Sequence, residues 1–195
     1  MATFNRRVRK ALPYDRKKYL DFFGNNESTT WYGVSFQLPG GFEGRNIGIT
    51  EFLDRYETWF KDLIIKLDTD LNWIINHDDT DLNWFPNDED NLPALRTLFK
   101  QNNIPNNFRG ALIFSKEELL EFTKDLLSYP TCVFNEERLF YKDLDISHAE
   151  LPIVIKISGH WNIHILSTDK HLLRKLLSEN RSDFIIKEYR GTSLI

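Results

Sequence analysis

Eight carboxylates fall between Leu67 and Leu95 (Asp68, Asp70, Asp78, Asp79, Asp81, Asp88, Glu89 and Asp90), and no Lys or Arg lies among them. Clustered carboxylates can hold a hard cation, share a proton in acid–base work, or attract a basic partner. The same stretch contains a repeat. Asp68-Thr69-Asp70-Leu71-Asn72-Trp73 recurs letter for letter as Asp79-Thr80-Asp81-Leu82-Asn83-Trp84.

Calcium is the first chemistry to test. A calcium loop needs oxygen ligands at positions 1, 3, 5, 7, 9 and 12 and Gly at 6. Counted from Asp68, oxygens are well placed, but position 6 is Trp73 and position 12 is Asp79 rather than Glu. Counted from Asp79, position 6 is Trp84. Trp does not readily take the conformation that Gly takes in that turn, so both copies fail at the same place. No metal is expected. A second reading is a hairpin: Leu71, Trp73 and Ile75 alternate with Asn72, Ile74 and Asn76, His77 to Thr80 turns the chain, and Asp81 to Phe85 returns it. Acids on such an edge would also block strand pairing with other chains. The third reading, compatible with the second, is an interaction face. Acids steer a basic partner and aromatics hold it. Its residues would be Asp78, Asp79, Asp81, Trp84, Phe85, Asp88, Glu89 and Asp90.

Other reactive residues offer less. His160 and His164 are four apart, a metal-ligand spacing on a helix, but Trp161 to Leu166 reads as a strand, where four residues span about 13 Å. Cys132 is the single cysteine; it lies in an apolar run that reads as a strand, where it would be a small core residue. No disulfide can form within the chain. No nucleophile-elbow serine and no phosphate-cradling loop is present, since no Gly-Lys-Ser/Thr follows Gly40, Gly41, Gly44 and Gly48. Carboxylate pairs such as Glu117-Glu118 and Asp88-Glu89 do acid–base chemistry only if they converge in a cleft, which leaves a hydrolase-like enzyme as the alternative. No cofactor is expected.

The charge balance sorts the partners. The net charge of −4 hides an N-terminal +6, from seven basic side chains and one acid in the first eighteen residues. The remainder carries −10, which repels nucleic acid and attracts basic proteins. The arm could hold phosphate or fold back on the acidic block. It is Arg-rich and acid-poor, as short organelle-targeting segments are, but lacks the apolar run of a secretory signal. No apolar run reaches the roughly 18 residues of a membrane span. A cytoplasmic location is expected, with no membrane contact and with nucleic acid met only through the arm.

The elements that must position these residues follow from periodicity. Residues 1–12 read as a basic flexible tail and 13–195 as one globular domain, with 103–110 as the place where a subdivision could fall. Helices are expected at Tyr14–Phe23, Thr50–Leu67, Pro93–Gln101, Lys116–Ser128 and Asp169–Leu177. The second presents Phe52, Leu53, Tyr56, Trp59, Phe60, Leu63 and Ile64 as one broad stripe. Ser115 and Glu118 form a capping box for the fourth, and Pro130 should stop it. Strands are expected at Trp31–Leu38, Ala111–Phe114, Thr131–Phe134, Arg138–Tyr141, Pro152–Ile157, Trp161–Leu166 and Asp183–Tyr189. Strands and helices are intermixed with at least two hairpins, which predicts an α+β fold: a mostly antiparallel sheet with three to five helices packed on it. Acidity, size and the lack of a catalytic signature fit a small inhibitor or immunity-type protein that neutralises a basic partner such as a toxin or nuclease.

Overall fold

The computed structural model describes residues 2–23, 30–40, 45–67, 70–77, 82–88, 91–134, 142–180, 183–189 and 191–194. Eight strands form one antiparallel sheet: β1 (Thr3–Asn5), β2 (Tyr32–Gln37), β3 (Trp73–His77), β4 (Ala111–Phe114), β5 (Leu144–His148), β6 (Ile153–Ser158), β7 (Asn162–Ser167) and β8 (Ile185–Glu188). Their order across the sheet is β1-β4-β3-β5-β6-β7-β2-β8. Among the described residues seven helices accompany it: α1 (Val8–Ala11), α2 (Arg16–Phe23), α3 (Ile49–Lys66), α4 (Pro93–Gln101), α5 (Lys116–Glu121), α6 (Thr123–Cys132) and α7 (Lys170–Glu179). The fold is α+β, as expected, with more helices than the expected three to five.

Alternation along the strands divides the sheet into two faces. Ile153, Ile155 and Ile157 of β6 and Ile163 and Ile165 of β7 join the main core with α3 to α7. The stripe on α3 supplies its largest contribution. Phe52, Tyr56, Phe60, Leu63 and Ile64 are all at most 1% exposed, each worth about 1.5–3 kcal/mol of burial. The polar tips of that stripe are satisfied: Tyr56 Oη donates to the Phe36 carbonyl at 2.7 Å and Trp59 Nε1 to the Asn180 carbonyl at 3.1 Å. On the other face, Val154 and Leu166 pack under Tyr19 and Phe22 of α2 and under Trp31. Ile74 and Ala111 pack under Val8 and Leu12 around α1. Both faces of the sheet therefore carry helices.

Several local expectations match. The capping box forms, with Glu118 N donating to Ser115 Oγ at 3.3 Å and Ser115 N to Glu118 Oε2 at 2.9 Å. Others differ. The segment expected to be a loose tail contains β1, paired with β4, and α1, whose Val8 is buried. Pro130 lies inside α6 instead of ending it; it has no N–H to offer the Leu126 carbonyl, and the helix stops two residues later. Cys132 is consequently the end of a helix, and the strand expected from Thr131 does not form; Arg138–Tyr141 lies outside the described residues. The helix after β7 is capped by Asp169, whose Oδ1 accepts from His171 N and Leu172 N, while Ser167 Oγ accepts from Asp169 N.

Candidate functional site

The two copies of the repeat end in different structures. Trp73 opens β3, which is flanked by β4 on one side and β5 on the other. No edge of β3 is left for a returning strand from Asp81 to Phe85, so the hairpin does not exist. The residues after each Trp decide the outcome. Ile74-Ile75 favours a strand. Phe85-Pro86 does not, because Pro86 has no N–H for a ladder. Trp84 and Phe85 instead bond to a neighbouring loop, with Trp84 N donating to the Phe108 carbonyl at 2.9 Å and Phe85 N to the Asn106 carbonyl at 3.3 Å.

This placement changes the roles of the aromatics. Trp84 is fully buried and Phe85 is 2% exposed, so neither ring is available at the surface as a contact for a partner. Both act as internal anchors for the segment that carries Asp88. Trp84 Nε1 donates to the Gly110 carbonyl at 2.8 Å, and the Tyr129 hydroxyl donates to the Trp84 carbonyl. Arg96 lies 3.9 Å over the Phe85 ring, and its Nη1 is 3.0 Å from Asp88 Oδ1. Asn106 Nδ2 also donates to Asp88 Oδ1, at 3.3 Å. The Asp88 side chain remains 85% exposed. Asp78, Asp79, Asp81, Glu89 and Asp90 lie outside the described residues.

The histidines are dispersed. His77 is buried, with Nε2 2.7 Å from the Tyr129 hydroxyl. Since that hydroxyl donates to Trp84, His77 is the donor to Tyr129. His148 is fully buried and its Nδ1 accepts from Glu150 N and Leu151 N, at 3.0 and 2.7 Å. Burial holds its pKa below the ordinary histidine value. Two backbone donors on one nitrogen require the neutral ring, so His148 shapes the β5–β6 turn. Among the described residues no three metal-capable side chains converge, around His160 and His164 or elsewhere.

A polar arrangement that local sequence signals do not single out lies on the sheet face under α2. A row of polar side chains runs straight across six strands. Asn76 pairs with Asp145, Asp145 with Lys156, Lys156 with His164, His164 with Ser35, and Ser35 with Lys187. One step along the strands, Ser158 pairs with Asn162 and Asn162 with Gln37. Nearly all of these are buried: Asn76 and Asp145 at 0%, Ser158 at 3%, Ser35 and Gln37 at 4%, Asn162 at 5% and Lys156 at 7% exposure.

Lys156 is the electrostatic centre of the row. Its Nζ lies 3.5 Å from Asp145 Oδ1 and 3.6 Å from Asp143 Oδ2. Asp145 Oδ1 also accepts from the Tyr19 hydroxyl at 2.8 Å, and Asp143 Oδ1 from Gly159 N at 2.9 Å. His164 Nδ1 is 2.9 Å from the Tyr189 hydroxyl. Burial, helped by the Lys156 ammonium, brings the His164 pKa down to about 4. Burial also raises Tyr189, to about 12, and raises Tyr14. At neutral pH the His164–Tyr189 pair is therefore uncharged. Three amide oxygens of this face, Gln37 Oε1, Asn76 Oδ1 and Asn162 Oδ1, have no hydrogen-bond partner.

The alternation of Lys156 and Ser158 with isoleucines, and of Asn162 and His164 with Ile163 and Ile165, was visible in the sequence. It reads as an ordinary solvent-facing side, and only the cover by other elements makes it unusual. Two open hollows flank the basic N-terminal segment. One, of about 460 Å³, is lined by Arg9, Tyr14, Arg16 and Lys17 among others; the second, of about 420 Å³, by Arg6, Asn107, Phe108 and Arg109. No helix among the described residues is long and apolar enough to cross a membrane. Comparison with protein-family models, with curated proteins and with solved structures returns no match.

Proposed function

We propose that the protein is a binding module that recognises a basic protein partner through the acidic segment spanning residues 78–90. Its role would be that of an inhibitor or immunity-type protein acting on a toxin or nuclease in the cytoplasm. The observation that carries this reading is the anchoring of residues 82–88. Two buried aromatics, the Arg96 clamp and hydrogen bonds to Asn106, Phe108, Arg109 and Gly110 fix a non-regular segment next to the densest acids in the sequence. A segment ordered before binding loses little entropy when a partner docks, and acidic side chains accelerate encounter with a cation-rich partner.

The enzyme alternative gains Asp143, Asp145 and His164 on one sheet face, but the contacts there are structural. Lys156 and Tyr19 engage Asp145, Gly159 engages Asp143, and Tyr189 engages His164. Among the described residues, no serine, threonine or cysteine is hydrogen-bonded to that histidine as an attacking group would be to its base.

The test is an affinity pull-down from native lysate at low and high salt, followed by measured binding of the recovered partner to the purified chain. A basic protein whose affinity falls with salt, and falls about tenfold or more when Asp78, Asp79 and Asp81 are all changed to Asn, supports the reading. Unchanged affinity in that triple variant would overturn the proposed surface.

A further inference from the structure

We infer that residues 6–18, together with Arg109, form a binding surface for single-stranded nucleic acid. The N-terminal segment is tied down along its inner side. β1 pairs with β4, Val8 and Leu12 pack over Ile74 and Ala111, and the Tyr19 hydroxyl donates to Asp145 at 2.8 Å. The basic side chains are thereby held on the outer side of a fixed backbone. Arg6, Arg7, Arg9, Lys10, Lys17 and Lys18 are exposed, and Arg109 joins them from the loop before β4. Among the described residues none of these seven is paired with a carboxylate. Packing accounts for the buried positions of the segment. It does not account for a run of like charges on the other side, which repel one another.

The two hollows identify the kind of polyanion. Arg9, Tyr14, Arg16 and Lys17 line the first, and Arg6, Phe108 and Arg109 the second. Arg6 and Arg9 stand on either side of the start of α1, so one short stretch of chain borders both hollows. Each hollow thus combines guanidinium groups, which suit phosphate oxygens, with an aromatic ring, which suits a base. Arg109 Nε donates to Asn83 Oδ1 at 2.8 Å, which orients that guanidinium. Asp15 and Asp21 also line the first hollow, against three cations, and Asp15 Oδ1 already accepts from Lys17 N at 3.0 Å. The second hollow has no carboxylate among the residues that line it, and Asp88, bonded to the adjoining Asn106, is paired with Arg96. Exposed acids elsewhere on the body are largely screened beyond about 8 Å at physiological salt. A bilayer is flat and would leave both hollows empty. A duplex groove calls for a projecting helix or ribbon, whereas β1 and α1 lie against the sheet. A flexible single strand can follow both hollows. The surface is separate from the acidic segment, and its test is independent of any protein partner.

Fluorescence anisotropy of labelled oligothymidylate and oligouridylate of about twelve nucleotides, titrated with the full chain over a salt series, tests the inference. Saturable binding of at least one is expected. Its log K should fall against log salt with a slope of about −3 or steeper, as four or more phosphate contacts on a single strand require. Arg6→Glu combined with Arg9→Glu should weaken binding about tenfold or more. Arg174→Glu combined with Lys175→Glu changes the net charge equally, on α7 at the opposite face of the sheet, and should leave binding nearly unchanged. In the unmodified chain, the side-chain Nε–H NMR signals of Arg6, Arg9 and Arg109 should shift with the oligomer, a readout that does not require a variant to fold. No saturable binding of either oligomer would overturn the inference. So would unmoved arginine signals, equal weakening by the two double variants, binding of polyglutamate as tight as that of the oligomer, or tighter association with phosphatidylserine vesicles.

Discussion

Trp73 and Trp84 end identical hexapeptides and are both fully buried, yet only Trp84 has an acceptor for its indole N–H, the Gly110 carbonyl at 2.8 Å. Trp73 Nε1 has none; the Trp73 ring meets the His148 ring nearly at right angles, 4.9 Å between centroids. The repeat is thus one of letters and not of structure.

Replacing each Trp with Phe should expose that difference. Trp84→Phe loses ring volume and leaves the Gly110 carbonyl unpaired, whereas Trp73→Phe loses volume while removing an unsatisfied donor. The first should cost about 1–2 kcal/mol more than the second in urea unfolding. Equal losses would mean that the Gly110 bond contributes nothing net.

Gly110 itself is sterically closed. A Cβ there would meet the Asn5 carbonyl oxygen at 2.2 Å and the Phe108 ring at 2.3 Å. Gly110→Ala should therefore push β1 away from β4 and cost about 3 kcal/mol. Amide exchange should accelerate in Thr3–Asn5 more than in β6. A uniform change across the sheet would contradict this local account.

Lys156 holds two carboxylates. Lys156→Met leaves Asp143 and Asp145 without their ammonium, a change expected to destabilise by about 3–5 kcal/mol. Adding Asp145→Asn should recover part of the loss, since the amide can still accept from the Tyr19 hydroxyl. The double variant being no more stable than the single one would count against an electrostatic origin.

Stability should also depend on pH through His164. Its folded pKa, about 4, lies below the ordinary value of 6.5, so the unfolded chain binds the proton more readily. The stability linked to this difference is fully present above pH 6.5 and is lost as the pH falls toward 4, on the order of 3 kcal/mol in all. His148, also lowered, contributes with the same sign. In His164→Gln the slope between pH 7 and 5 should flatten without vanishing. An unchanged slope would show that His164 does not titrate differently on folding.

Much of the fold was legible because local signals agreed with one another. Pro93 near a first turn and the isoleucine alternation in β6 and β7 each named an element that forms where expected, and the Ser115/Glu118 box named a helix start, although the single helix expected over Lys116–Ser128 is divided at Phe122 into α5 and α6. The misses arose where distant chain decided. Val8 and Leu12 have a helical spacing of four, but seven basic side chains nearby made the segment read as a solvated arm. The aromatics of the acidic stretch looked like surface anchors, since nothing local told that Phe99, Phe108 and Tyr129 would enclose them. The polar rows went unnoticed for the same reason: burial is a property of what lies above, and α2 is more than a hundred residues away from β6 and β7 in the chain.

The sheet begins and ends at its own margins. β1 and β8, the first and last strands of the chain, are the two edge strands. Seven strand spacings of about 4.8 Å place them roughly 34 Å apart across the sheet. A circular permutant would need a bridging linker of more than about ten extended residues. Shortening the chain at its start would strip the cover from Ala111–Phe114 and present an apolar, unpaired edge to other molecules. Such a truncation would report on self-adhesion and not on the charge of the arm, so the contribution of Arg6, Arg7 and Arg9 is better measured by reversing their charges with the backbone left in place.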